Sequence, residues 1–251
     1  MKGKENTARA RATANRIVAI REKWHTKKHP FFRRFATGKL PLHAMGVYMA
    51  QHYHFVSMAL PSMGHLMAKA PADVRLSIIE NLAEEAGLAA IAREGHVPHD
   101  HMDDIFAFTR AAGLKDKEVR DLERTPAWWA RTLHYVCTLQ NEPVGVVLAM
   151  QSTQEGQQVA LNTEVTLPAF AKHYGYPRGS RAIAFFEEHA EADEVHSDRQ
   201  ISLCMKYLDT PALVQRACVV AEEAVKLRWA SISDLYRSEV LKEKPMLPPG
   251  V

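Results

Sequence analysis

Three observations predict an all-α fold for this chain of 251 residues. Apolar residues recur at three- and four-residue spacings through most of the interior, the period of a helix with one buried face. No alternating, β-branched run bounded by Gly or Pro interrupts that pattern, so no strand is expected. Several prolines fall where helices would begin, in the first turn, where the missing N–H costs nothing. A helical bundle of about seven to nine helices in a single domain is expected, because no internal repeat, low-complexity tract or interdomain linker divides the chain.

The elements follow in order. A first helix runs from about Asn6 to Trp24 and stops before His29-Pro30, where proline disfavours helix in the residue before it. A second occupies Pro41 to Ala70, with Pro61 as a point for a kink and Pro71 closing it. The third, Ala72 to Arg93, carries Ile78, Ile79, Leu82 and Ala86 on one face, and Glu94 to Asp100 breaks its pattern. Further helices are expected over His101 to Ala112, Pro126 to Gln140, Pro143 to Tyr174, Arg178 to Leu208 and Pro211 to Ser238. The tail from Lys242 to Val251 holds three prolines and is expected to be extended.

Composition removes several classes of function. Thirteen histidines stand against three cysteines, Cys137, Cys204 and Cys218, with no C-x-x-C pair; cysteine zinc modules and disulfide scaffolds are excluded, and the thiols read as core residues of a cytoplasmic protein. A formal charge of +3 is too weak to imply nucleic acid. The basic residues Lys2, Lys4, Arg9, Arg11 and Arg16 lack the interleaved aromatics that base stacking needs, so they read as a solvated first helix. No run of about 18 apolar residues is present, so no membrane span is expected, and the N-terminus lacks the apolar stretch of a signal peptide. A homodimer acting on a small-molecule substrate is expected.

The stretch from Phe186 to Gln200 carries the chemistry, with His189, Asp193 and His196 spaced H-x3-D-x2-H. On a helix they project at about 0°, 40° and −20°, one stripe. Two imidazoles and a carboxylate on a core-facing stripe are expensive to desolvate without a cation, and they form a ligand set that Fe(II) or Mn(II) accepts. Glu187, Glu188, Glu191 and Glu194 fall elsewhere around the helix and read as a solvated acidic face. Partner ligands should come from facing helices, as in di-iron carboxylate bundles. Two segments offer them: Glu80 to Gly87 followed by His96, His99 and His101, and the helix around Met150 to Asn162, where Glu155 interrupts an apolar and amide sequence. Glu164 reads as a surface charge.

The segments HPFFRRFATGKLPLHAMGVYMAQHYHFV, ENLAEEAG, HMDDIFAFTRAAGL and KHYGY followed by FFEEHAEADEVH resemble the haem-oxygenase-like fold group. That group includes the quinone-cofactor synthase PqqC, the TenA thiaminases and the haem-oxygenase-like di-iron oxidases. The resemblance spans most of the chain, and its late residues separate the branches. His189, Asp193 and His196 reproduce the oxidases' last-helix ligands. PqqC carries arginine at the place of His189, and TenA's cysteine has no counterpart near Gln151 to Thr153, with Cys137 too early.

The resemblance implies a haem-oxygenase-like helical bundle that binds Fe(II), two ions per chain, with O2 as co-substrate, through Glu85, His101, Glu155, His189, Asp193 and His196. It leaves His96 and His99 as rivals to His101, and Glu94 as a rival to Glu85, because the gap from Glu85 to His101 is longer than the family's. The implied activity is a non-haem di-iron oxidase or oxygenase that oxidises, hydroxylates or cleaves a small metabolite, commonly an amino acid or fatty acid. The alternatives are a cofactor-independent oxidase like PqqC and a non-catalytic small-ligand-binding protein. Tyr53 and His54 are candidates to orient substrate beside Gln51, whereas His134, His65 and His43 read as structural. A self-modifying branch that makes an aminobenzoate from its own tyrosine uses a lysine shortly after the helix glutamate; the position ten after Glu155 is Val165, which disfavours that branch, and Lys172 keeps it open.

Overall fold

The structure, a computed structural model, describes residues 2–88 and 99–244, with side chains described over 10–88, 99–190 and 199–244. Among these residues every regular element is a helix: α1 (Lys2–Lys23), α2 (Pro30–Ala36), α3 (Leu42–Lys69), α4 (Ala72–Glu85), α5 (His101–Ala111), α6 (Asp116–Asp121), α7 (Pro126–Asn141), α8 (Val144–Leu161), α9 (Leu167–Ala169), α10 (Ala184–Tyr207) and α11 (Pro211–Leu235). The expected seven to nine helices become eleven α-helical segments among the described residues. The short α2 and α6 add two, and π turns at Asn162–Thr166 and Phe170–Tyr174 set α9 off within the expected run that ends at Tyr174. Gly175, left-handed at φ +76°, closes that run.

Proline and short polar side chains start the helices. Thr125 caps α7 by accepting from Trp128 N at 3.4 Å, and Thr210 caps α11 by accepting from Leu213 N at 3.2 Å, each followed by proline. Two expected boundaries move. The third helix ends at Glu85 rather than Arg93, because Gly87 takes φ +65° and turns the chain out of the helix. The expected start at Arg178 moves to Ala184, after Pro177 and a left-handed Gly179. Pro61 lies inside α3, which remains one helical span.

The core forms where α8 packs between α10 and α11, with α3 and α7 alongside and α5 beside α10. Phe31, Phe32 and Phe35 of α2 are fully buried with Tyr48, Trp128 and Phe170. Cys204 and Cys218 are buried as expected, but Cys137 is exposed, because its face of α7 meets solvent. No described helix is long and apolar enough to cross a membrane.

Two buried histidines pin the N-terminal region as neutral caps. His25 Nδ1 accepts from Lys27 N at 3.2 Å. His29 Nδ1 accepts from Phe31 N at 3.1 Å, which leaves its Nε2–H to donate to Ser233 Oγ at 3.0 Å. Burial, with Lys27 and Arg228 adding repulsion, pushes His25 down to about 3, and burial alone takes His29 to about 4. A histidine protonated more readily when unfolded stabilises the fold above its unfolded value, and that contribution drains as pH falls towards the folded one. The melting temperature is therefore expected to drop between pH 6.5 and 4. Replacing both by asparagine, which caps without titrating, should flatten this slope; an unchanged slope would refute the cap assignment.

Candidate metal centre

Three helices meet around His101. Glu85 ends α4, and the chain leaves it through Gly87, where a Cβ would stand 2.7 Å from both Asp100 N and the His99 carbonyl carbon. Only glycine allows this approach, so the excursion between them begins and ends at one point. Asp100 then caps α5 by accepting from Met102 N at 2.7 Å, which sets His101 at the first helical position beside Glu85. His101 Nδ1 stands 2.8 Å from Glu85 Oε2, and its Nε2 stands 3.0 Å from Glu188 Oε2 of α10. The His189 ring lies 4.6 Å from that of His101. One donor atom from each of Glu85, His101 and His189 falls within 4.8 Å of the others.

The two imidazoles are shifted in opposite directions. Burial opposes charge on His101, but Glu85 and Glu188 outweigh it and hold its pKa well above the usual value. His189 is pushed down to about 4 by burial and then by the positive His101. Its Nδ1 lies 2.7 Å from the Phe185 carbonyl oxygen. A carbonyl only accepts, so Nδ1 bears the proton and Nε2 keeps its lone pair, the arrangement that orients metal-ligating histidines.

Carboxylates crowd the same place. Glu155 of α8 accepts from Gln200 Nε2 at 2.6 Å. Burial, with Glu85 and Glu84 adding repulsion, pushes its carboxyl up to about 7. Asp104 is enclosed beside Arg181, and burial and Glu188 push it up to about 6. Donors sharing an ion at bond lengths of about 2.1 Å sit roughly 3–4 Å apart, so the Glu85, His101 and His189 group needs only side-chain adjustment to hold one. The donor set, carboxylate and imidazole without thiolate, fits a borderline divalent ion such as Fe(II).

The candidates from sequence divide. Glu85, His101 and His189 come together, and Glu155 lies in the surrounding acidic shell. Asp193 and His196 follow His189 along the helical backbone of α10; their side chains lie outside the described residues, as do Glu94 and His96. His99 backs onto Gly87. Glu164 pairs with Lys27 at 2.9 Å on the surface. Gln51 donates to Glu123 O at 2.8 Å, and His134 faces Glu223 at 3.3 Å.

Two expectations shift. Tyr53 and His54 face α5 and α6: the Tyr53 ring lies 5.0 Å from Phe106, and His54 Nε2 donates to Val119 O at 2.9 Å. The residue before them, His52, takes the site side, packing 5.5 Å from Phe185, which lies 4.0 Å from His189. The register of α3 decides this, since adjacent residues are 100° apart. Glu188, expected on a solvated face, instead meets His101, because α10 is covered by α5 as well as by α8 and so has two buried faces.

A helical bundle with a buried cluster of carboxylates and imidazoles is one that could hold a metal ion. The chain belongs to the family of iron-containing redox enzymes, whose family model matches residues 47–229. It is similar to the 4-aminobenzoate synthase of Nitrosomonas europaea, at 22% identity over 236 residues that cover 88% of this chain and 90% of that one. Among solved structures it resembles a TenA homologue from Pseudomonas syringae pv. tomato, with TM-score 0.74 and 12% identity over 90% of this chain and 93% of that one. A domain with a heme oxygenase-like fold from Shewanella denitrificans matches with TM-score 0.73 and 15% identity, covering 91% and 92%. The expected haem-oxygenase-like, all-α fold is thus the observed one.

Proposed function

We propose that the chain is an O2-dependent non-haem oxidoreductase that holds two Fe(II) ions through Glu85, His101, Glu155, His189, Asp193 and His196 and oxidises, hydroxylates or cleaves a small metabolite of amino-acid or fatty-acid type. The observation that carries this reading is the meeting of one donor atom each from Glu85, His101 and His189 within 4.8 Å of one another, with His189 Nδ1 turned to the Phe185 carbonyl and its Nε2 left free of that bond. A buried acidic cluster of this kind is stabilised by a cation.

Iron bound here would supply the electrons that reduce O2. The chain's own residues prepare the place. Phe185 fixes the His189 tautomer, Gln200 orients Glu155, and Phe185 with His52 screens the cluster from water on the α3 side. His101, and Glu155 in its protonated fraction, must release protons before they can ligate, so metal uptake frees protons and strengthens as pH rises. The test is to mix the anaerobic Fe(II)-loaded protein with O2 in the presence of a panel of amino acids and fatty acids. A transient visible absorption band, formed faster with one class of trigger, is expected. Oxygen uptake no greater than that of free Fe(II) under every condition would overturn the reading.

A second reading, that the chain forms an aminobenzoate, draws on its likeness to a 4-aminobenzoate synthase. Val165 is half-buried and Lys172 is exposed on its π turn, so neither places an amine within the bundle. Aerobic incubation with Fe(II) alone separates the two readings: an aromatic amine formed with a matching change in the intact protein mass would favour this second one.

A further inference from the structure

Arg131, in the middle of α7, is only 4% exposed, yet its Nε and Nη1 make no hydrogen bond. The guanidinium lies 4.3 Å from the Phe55 ring centroid and 4.8 Å from that of Trp128. The ionisable groups that act on it are a second cation, Arg228, and the phenols of Tyr48 and Tyr135. Arg228 is itself committed, donating to Gln154 O at 2.7 Å and Gln158 Oε1 at 2.6 Å. Among the described residues no carboxylate answers Arg131. Burying a guanidinium without an anion costs several kcal/mol, and two aromatic faces return only a part of that. A structural arginine would be expected to have its N–H groups bonded.

Its surroundings lead to the metal centre. Phe55 lies 5.8 Å from His52, His52 lies 5.5 Å from Phe185, and Phe185 lies 4.0 Å from His189. Tyr135, 5.3 Å from Phe55, feels the charges of Glu155, Glu85 and Arg131. Ring contacts through Phe55, His52 and Phe185 thus connect the surroundings of the guanidinium to His189.

We propose that Arg131 binds a carboxylate of the substrate, holding an organic acid by one end on α7 while its other end lies towards the cluster of Glu85, His101 and His189. This rests on the oxidoreductase reading and assigns the residue that selects the substrate. A guanidinium presents two edges that a carboxylate can bridge, one containing Nε and the other Nη1, so each edge holds one of the unbonded nitrogens. A single planar monoanion suits one guanidinium walled by aromatic rings better than a phosphate dianion, which would need further donors.

The test uses the shared head group. Melting temperature is followed against acetate and benzoate, and against acetamide and benzamide, at constant chloride, with 2,2′-bipyridine present so that no iron takes part. Saturable stabilisation by the two acids and none by the amides is expected for the wild type. Arg131→Gln should abolish it, and Arg131→Lys, which keeps the charge but loses the fork, should weaken it about tenfold. Acids acting no better than amides, or an undiminished response in Arg131→Gln, would overturn the proposal. Where the glutamine variant does not fold, an undiminished response in Arg131→Lys does the same. Iron content of the Arg131 variants is expected to match the wild type, so a failure here and a failure of the iron reading give different results.

Discussion

His189→Ala is expected to fold with unchanged helicity and to lose most of its iron. After anaerobic loading and desalting, the wild type should retain about two iron ions per chain, and the variant well under one. The reason lies in the geometry. His189 is the neutral donor of the group, with its proton committed to the Phe185 carbonyl and its ring against Phe185, so alanine removes the lone pair that needs no deprotonation. Glu85 and His101 would remain, but bound to one another by their 2.8 Å hydrogen bond. His134→Ala, which removes only a surface pair with Glu223, is the matched control and should load as the wild type does. Equal iron in wild type and His189→Ala would sink the metal assignment.

Gly145→Val is expected to destabilise the fold strongly. Gly145 lies in the first turn of α8, where a Cβ would stand 2.7 Å from the Tyr207 carbonyl oxygen and 2.8 Å from its carbon at the end of α10. The obstacle is backbone, so no rotamer relieves it, and the helices must part. Overpacking of this kind costs about 3 kcal/mol, and for a chain of this size the melting temperature should fall by roughly 6–12 °C. Because α8 carries Glu155 and α10 carries His189, the variant should also hold iron less tightly. Gly64→Val is the comparison: nothing lies within 4 Å of its Cβ position, and because valine is the better helix former of the two, the change should leave stability within about 0.5 kcal/mol of the wild type. A Gly145→Val protein that melts with the wild type would contradict the close crossing.

Most helices were legible because their signals are local. Proline at the entry to α7 and α11, capping threonines before them, and the apolar period of each span depend on residues within a few positions of one another. The end of α4 was not, since the pattern of Ile78, Ile79 and Leu82 continues in sequence past the point where Gly87 turns left-handed. The stripe of His189 was visible as a spacing. Glu188 was not, because a second buried face on α10 exists only once α5 packs there. His52 differs from its neighbours Tyr53 and His54 by one residue in helical phase, a difference that composition does not record. Arg131 gave no signal at all: a charge between Ala130 and Thr132 on α7 is indistinguishable in sequence from a solvated one.

The contact between Gly87 and Asp100 has a consequence for how such chains are found. The backbone of Gly87 meets that of His99 and Asp100 there, so that contact, and not the number of residues between them, sets where Glu85 and His101 stand. The distance in sequence between these two residues then carries no information about their distance in space. A search pattern that fixes the number of residues from glutamate to histidine would pass over this chain, while one that asks for glycine two after the glutamate and an N-cap aspartate just before the histidine would retain it. Shortening that stretch is accordingly the kind of variation the fold should accept, and lengthening it is a route by which related chains could acquire a new surface beside an unchanged centre.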